Sequence, residues 1–560
     1  MGNDEGETLM DTAPVPHGRR DTRTVADSAR RCWQDLLHVP EIDDGAHFFA
    51  LGGHSMLATR LMSRMRKALD ADLPTGLIFD HPVFADFVTR TIAALGEDSV
   101  TADERPRPSG RVTGPVSPQQ ERLLRIEDAL GPSPVHSIVV PVALDAPVDG
   151  AVLRLALHAL LTRHGALRLA FPTPDGGGAR QQVLVPPWAP GDVELVERDM
   201  PVSAGGQAEE AAILKEVRLA HLKPFDLMRG NLLRAQLFRR RHAADLLVLH
   251  LHHLAVDGVS QTVLLDDLAE AYTQLVTEGH VHMADSDALT HIDYALHRGG
   301  RQGDVAADSR RHWTRVARDL AADLAATAEL APRGIRYVRR GAELDASVLH
   351  GLHAWAGTEG ATDFVVATAA VAAALAGHLG RRHVGIGTLL DNRAHAAHER
   401  TVGPFANSTL LAVPVPAGAT PRDIVRATRA QLAEARRCAD SPLDDLLGPP
   451  CDILGLRPDD LVDVVVAFDR PYRAPAGSAL RMSPLYDHGG LLVPSALGPR
   501  LSVTLFAHET GTLRITVEHT EDPEDPQRPD AVLSAVVGAL RLFAEAPDAI
   551  VVPSPAAVPR

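Results

Sequence analysis

His250-Leu-His-His-Leu-Ala-Val-Asp-Gly258 joins two segments of opposite period. Residues 245–251 (Asp-Leu-Leu-Val-Leu-His-Leu) form the short apolar run of a strand, while Val259 and Ser260 open a helical pattern through residues 261–275. A strand sends alternate side chains to opposite faces, so His250 and His252 share one face and His253, if the strand reaches it, takes the other. The three histidines therefore need not act together. Adjacent histidines are poorly placed to hold one ion, and no companion carboxylate motif follows, so no metal is expected. Taken alone, such a pair reads as ordinary histidines at a strand end.

Upstream, His47-Phe-Phe-Ala-Leu-Gly-Gly-His-Ser-Met-Leu57 sets a serine at the mouth of an amphipathic helix whose apolar face is Leu57, Leu61, Met62 and Met65. A helix N-terminus offers unpaired N–H groups and the positive end of the dipole, which favour a phosphate ester on Ser55. A lone serine after glycine otherwise serves as a helix cap. A helix before it carries Val25, Ala29, Cys32, Trp33, Leu36 and Leu37 and stops before Pro40. Another runs from Pro82, in its first turn, through Phe84, Phe87, Val88, Ile92 and Leu95. Residues 23–96 thus read as a small all-α domain, after a disordered lead-in at 1–22 and before a Pro/Gly-rich linker at 97–114.

Beyond the linker, strands alternate with helices. Residues 138–144, 382–390, 410–415, 462–468, 501–507 and 513–519 read as strands, the last two joined at a turn around Gly511, and residues 151–163 as a helix. About 440 residues of α/β pattern suffice for two lobes, placed at about 115–298 and 299–553. The net charge of -16 over 560 residues argues against nucleic acid or an anionic membrane as partner. Three scattered cysteines suggest neither disulfides nor structural zinc, and the acidic N-terminus lacks the pattern of an export signal. A cytoplasmic setting is expected.

The serine segment resembles the signature of peptidyl carrier proteins of nonribosomal peptide synthetases: an aromatic pair, a leucine, two glycines, Asp or His, then the modified serine. The histidine segment resembles the HHxxxDG motif of condensation domains, matched by His252, His253, Asp257 and Gly258. Further resemblances follow in order: Ser117-Pro-Gln-Gln-Glu-Arg-Leu123; Arg163-His164 with Leu167-Arg168 and Phe171; Pro224-Phe-Asp-Leu with Leu232-Leu-Arg234; His291-Ile-Asp-Tyr294; and Asn392-Arg393 with Val402-Gly-Pro-Phe-Ala-Asn407. Together they cover residues 24–95 and about 115–550.

The resemblance implies a four-helix-type carrier followed by an α/β condensation domain of two chloramphenicol-acetyltransferase-like lobes in a V, with the histidine loop in a tunnel between them. It implies 4'-phosphopantetheine on Ser55, attached by a phosphopantetheinyl transferase, with His253 as the catalytic residue. It assigns Asp257 to a structural ion pair, for which Arg163 and Arg168 are the candidates, since a buried carboxylate needs a partner. The implied reaction is attack of an amine on a thioester, giving an amide. An adenylation domain would act in trans or upstream, and the acceptor would sit on a carrier or be a small nucleophile. Gly165 and Val259 depart from the family pattern, the latter in the direction of epimerisation domains, whereas the 402–407 segment is of the condensation type. Ester formation, release onto a free nucleophile and a noncatalytic docking platform are the alternatives.

Overall fold

The computed structural model describes residues 22–551 apart from 38, 50, 52, 54, 72, 75, 98–105, 174–177, 201–205, 241–242, 283–288, 300–306, 325–336, 394–395, 440, 476, 486–500, 509 and 521–527. The chain divides into two compact units between residues 104 and 105. The lead-in expected at 1–22 lies outside the described residues except for Thr22, which already begins the first helix.

The first unit is helical throughout: Thr22–Leu37, Ser55–Leu69, the single turn Leu77–Asp80 and Phe84–Glu97. Apolar residues at helical spacing turn Val25, Ala29 and Trp33 inward against Leu61, Met62, Met65, Phe84 and Phe87. Trp33 sits at the centre, edge-on to Phe48 and Phe84 with centroids 5.1 and 5.3 Å away. Pro82, expected inside the last helix, lies just before it, and its carbonyl accepts the Phe48 N–H at 2.8 Å. That bond and the bridge between His47 and Val83 tie the segment leading to Ser55 to the start of the last helix.

Residues 98–105 of the expected linker lie outside the described residues, but its end, in the second unit, is structured. Thr113–Pro115 is a strand paired with Gln181–Leu184, and the Ser109 N–H donates to Asp293 at 2.8 Å. The reason is local: Thr113 begins an extended run whose backbone groups find partners in that neighbouring strand.

Three sheets are found among the described residues of this unit. One is the small sheet containing Thr113–Pro115. A five-stranded sheet runs in the order Met482–Pro484, Ser137–Leu144, Asp245–His252, Leu233–Arg239, Leu195–Asp199. A six-stranded sheet orders Asn407–Pro414, His383–Leu390, Val464–Asp469, Leu501–Ala507, Leu513–Thr520 and Tyr337–Leu344. Each of the two larger sheets has its own apolar core. In the second core the helix Asp363–Leu379 is buried on nearly every side, consistent with its Ala/Val composition. Met482–Pro484 crosses back to pair with Ser137–Leu144, and Leu480 and Met482 join the first core. A lobe boundary drawn once near residue 299 therefore does not describe the packing. No single helix among the described residues is long and apolar enough to cross a membrane.

Candidate active site

The strand Asp245–His252 ends at His252, so His253 belongs to the turn that follows, closed by the Ala255 N–H on the His252 carbonyl at 2.8 Å. That turn delivers the chain to Asp257, the N-cap of the long helix Gly258–Glu278. His250 is fully buried, its Nε2 at 2.9 Å from the side-chain oxygen Oε1 of Gln236. His253 differs from both other histidines: its side chain keeps accessible surface although protein surrounds it in depth. Its Nδ1 faces the Val256 carbonyl at 3.3 Å. A carbonyl only accepts, so Nδ1 carries the proton and Nε2 keeps its lone pair. Burial, reinforced by His136 and His252, pushes the ring's pKa down to about 4, which leaves it neutral at pH 7.

Asp257 is the hub between the two halves of the unit. Its carboxylate accepts from Arg393 Nη1 and Nη2 at 2.8 and 3.0 Å, from Ser260 N and Oγ at 2.8 and 2.7 Å, and from the Phe405 and Ala406 N–H groups at 3.1 Å. Burial alone would raise this carboxyl, but the Arg393 charge and these bonds outweigh it and hold it below the usual carboxylate range. Ser260 also lies within hydrogen-bond distance of the Gly403 carbonyl, at 2.9 Å, and accepts the Gly403 N–H at 3.1 Å, so its hydroxyl is a structural tie. Gly403 has no substitute here, since a Cβ would stand 2.3 Å from His291 Cδ2.

The expected arginine partners are therefore corrected: Asp257 pairs with Arg393. Arg163 Nε lies 3.2 Å from Asp267, which also holds His164 Nε2 at 2.7 Å. Arg168 donates to the carbonyls of Leu161, Val185 and Thr162. The helix itself explains the shift, because Asp267 lies ten residues beyond Asp257, about 15 Å along the axis. Arg393 came within the quoted Asn392-Arg393 pair, yet its contact spans 136 positions and leaves no local signal.

Two further residues beside the histidines gave no sequence signal at all. Glu127, near the end of the helix Pro118–Leu130, accepts from His136 Nδ1 at 2.6 Å and faces His252 Nε2 at 3.5 Å. Burial would raise Glu127, but the bonds from His136 and His252 lower it to about 2, so it is ionised at pH 7. The three donor atoms are close enough together to suggest a metal. The tautomer argues otherwise. His252 Nδ1 accepts the Leu254 N–H at 3.1 Å, and burial holds the ring neutral, so its proton sits on Nε2 and no lone pair faces Glu127.

In the helical unit, Ser55 is the first residue of Ser55–Leu69. The approach is fixed by Gly53, where a Cβ would fall 2.4 Å from Phe48 Cδ1 and whose N–H donates to the Phe48 carbonyl at 3.0 Å. Gly53 thus lies close against Phe48, two residues before Ser55 at the positive end of the helix. Those features fit a phosphodiester on that residue.

Comparison with known proteins finds a family for each of the two units. Residues 111–470 match the family model described as condensation domain, and residues 27–91 match that described as phosphopantetheine attachment site. A linear gramicidin synthase protein of Brevibacillus parabrevis is 28% identical over 88% of this chain, and malpibaldin synthetase of Mortierella alpina 28% over 74%. This chain spans only 6% and 7% of those two proteins. Among solved structures, the first condensation domain of the CDA synthetase superposes with a TM-score of 0.64 at 20% identity, covering 79% of this chain and 98% of that one. SgcC5 of Streptomyces globisporus gives 0.59 at 20% identity over 78% and 100%. The chain belongs to the condensation domain family and carries, on the N-terminal side of that domain, the phosphopantetheine attachment domain of nonribosomal peptide synthetases.

Proposed function

We propose that this chain forms amide bonds in nonribosomal peptide synthesis, with Ser55 the phosphopantetheine attachment residue and His253 the catalytic residue. The observation that carries the reading is the accessible, neutral His253 ring with its Nε2 lone pair unused by the backbone. The bound arm supplies a thioester carbonyl open to attack and a thiol leaving group. Nε2 accepts a hydrogen bond from the N–H of the incoming amine and so aims the nitrogen lone pair at that carbonyl. A ring with a pKa near 4 is a weak base, so orientation and stabilisation of positive charge developing on nitrogen fit His253 better than complete removal of a proton beforehand. Two tethered reactants in one passage supply the rest through proximity.

In this reading residues 23–96 are the carrier, 97–114 the connection and 115–553 the condensation domain. The carrier acts as donor to the domain that follows it, since the short connection keeps its local concentration high. A phosphopantetheinyl transferase installs the arm and an adenylation domain elsewhere loads it; the setting is cytoplasmic. The acceptor is an amine on a second carrier or a free small amine. Retention of an accessible His253 with its Nε2 lone pair free favours catalysis over a docking role, because a platform needs no such group.

The test has two parts. Coenzyme A and a broad-range transferase should add one arm by intact mass, absent in Ser55→Ala. His253→Ala should keep that loading and lose product formation by about 100-fold or more. Loading of Ser55→Ala, or wild-type turnover by His253→Ala, contradicts the proposal.

A further inference from the structure

We propose that Glu127 and His136 are positioning residues for the reaction centre, acting through the backbone and the neighbour of His253. The inference rests on the reading of His253 given above.

The connections are short and buried. His136 lies immediately before the strand Ser137–Leu144, whose first residue pairs with His252 across the sheet. The His136 carbonyl accepts the His253 N–H at 2.9 Å, so the main chain of His253 hangs from residue 136. The side chain of His136 is tied in turn: its Nδ1 donates to Glu127 at 2.6 Å, and the ionised carboxylate can only accept. The same oxygen, Oε1, stands 3.5 Å from the Nε2–H of His252. Glu127 therefore fastens the residue from which the main chain of His253 hangs and faces the one that precedes His253. Exposure is 9% at Glu127, 7% at His136 and 2% at His252, so water cannot replace these bonds. Phe225 closes the remaining side edge-on to His252, centroids 5.6 Å apart, with Arg234 stacked on it at 3.9 Å. What this arrangement controls is the direction of the His253 ring, while acceptor binding lies beyond it.

The experiment compares Glu127→Leu, Glu127→Gln, His136→Leu and His253→Ala in the full chain. It measures kcat and KM for the acceptor amine, with the folded fraction checked by thermal unfolding. Glutamine keeps the accepting oxygen and leucine removes it. Glu127→Leu should lower kcat about 100-fold, the loss typical of a reacting group displaced by an ångström, while KM stays within about twofold. Glu127→Gln should run at least about tenfold faster than Glu127→Leu, which a loss of fold alone would not give. His136→Leu should also lower kcat at constant KM, and it carries the test if Glu127→Leu does not fold. Wild-type kcat in Glu127→Leu or His136→Leu, or equal loss in Glu127→Gln and Glu127→Leu, overturns the inference. Wild-type turnover by His253→Ala would instead remove the functional reading beneath it.

Discussion

Arg393→Met removes one side of the pair that joins the two halves of the condensation unit, and its cost follows from what is left around Asp257. Asp257 is 4% exposed and Arg393 3%, so neither charge can turn to water. Breaking a buried pair by deleting one partner usually costs about 3–5 kcal/mol. Here four donors remain on the carboxylate, from Ser260 N and Oγ, Phe405 N and Ala406 N, so the loss should fall near the lower end, about 3 kcal/mol. Asp257→Ala should cost more, about 5 kcal/mol. It leaves Arg393 with partners that include Asp391, the Ser260 hydroxyl and the Thr401 carbonyl, strands three backbone N–H groups and removes the cap of the helix Gly258–Glu278. Urea unfolding followed by the fluorescence of buried Trp313 and Trp355 measures both, and the double variant gives the coupling, about 2–3 kcal/mol. The pH dependence has a definite sign. Because the folded carboxyl lies below its unfolded value of about 3.9, the contribution is complete above that pH and disappears as pH falls through the lower, folded value. Strictly additive single costs, or an Arg393→Met cost below about 1 kcal/mol, would refute the hub.

Gly403→Ala should destabilise the same junction by about 1–3 kcal/mol, since its methyl group would meet His291 at 2.3 Å and Phe405 at 3.1 Å; an unchanged thermal midpoint contradicts this. Burial pushes His250 and His291 each down to about 3, so both stay neutral in the folded protein well below the pH at which the unfolded chain takes up its protons. Stability should therefore fall as pH drops from about 6.5 towards 3, by up to about 1.4 kcal/mol per pH unit for each group. Urea midpoints unchanged between pH 7 and 4.5 would contradict that sign.

Much of the architecture was legible because the relevant patterns are local. Strands read at 138–144, 382–390 and 501–507 occur as Ser137–Leu144, His383–Leu390 and Leu501–Ala507, where apolar run length and turn residues decide the outcome. The hairpin around Gly511 forms with Ala507 opposite Leu513. What could not be read is spatial. Three residues, Met482–Pro484, join a sheet made otherwise from the first half of the unit, and nothing in their sequence names that neighbour. The partner of Asp257 was misplaced for the same reason: a buried carboxylate demands a cation, but sequence order favours Arg163 and Arg168, while the helix axis carries Arg163 away towards Asp267 and Arg168 is taken up by backbone carbonyls. Glu127 and His136 carry no motif, and only the folded turn brings them to His252 and His253. Thr113–Pro115 looked like linker because a strand of three residues has too few positions to show a period.

The central claim is that Ser55 presents an acyl group which His253 helps pass to an amine. A single-turnover transfer measures it most directly. Ser55 is loaded with a labelled acyl group on its pantetheine arm, an acceptor amine is added free or on a second carrier, and the label is followed with time in the wild type and in His253→Ala. The account predicts label moving to the acceptor as an amide in the wild type and remaining on Ser55 in the variant, with loading equal in both. Label that leaves Ser55 equally fast in both proteins would contradict the role of His253. Label that stays on Ser55 while an acyl group from another carrier is transferred to a Ser55-bound amine would reverse the direction of transfer.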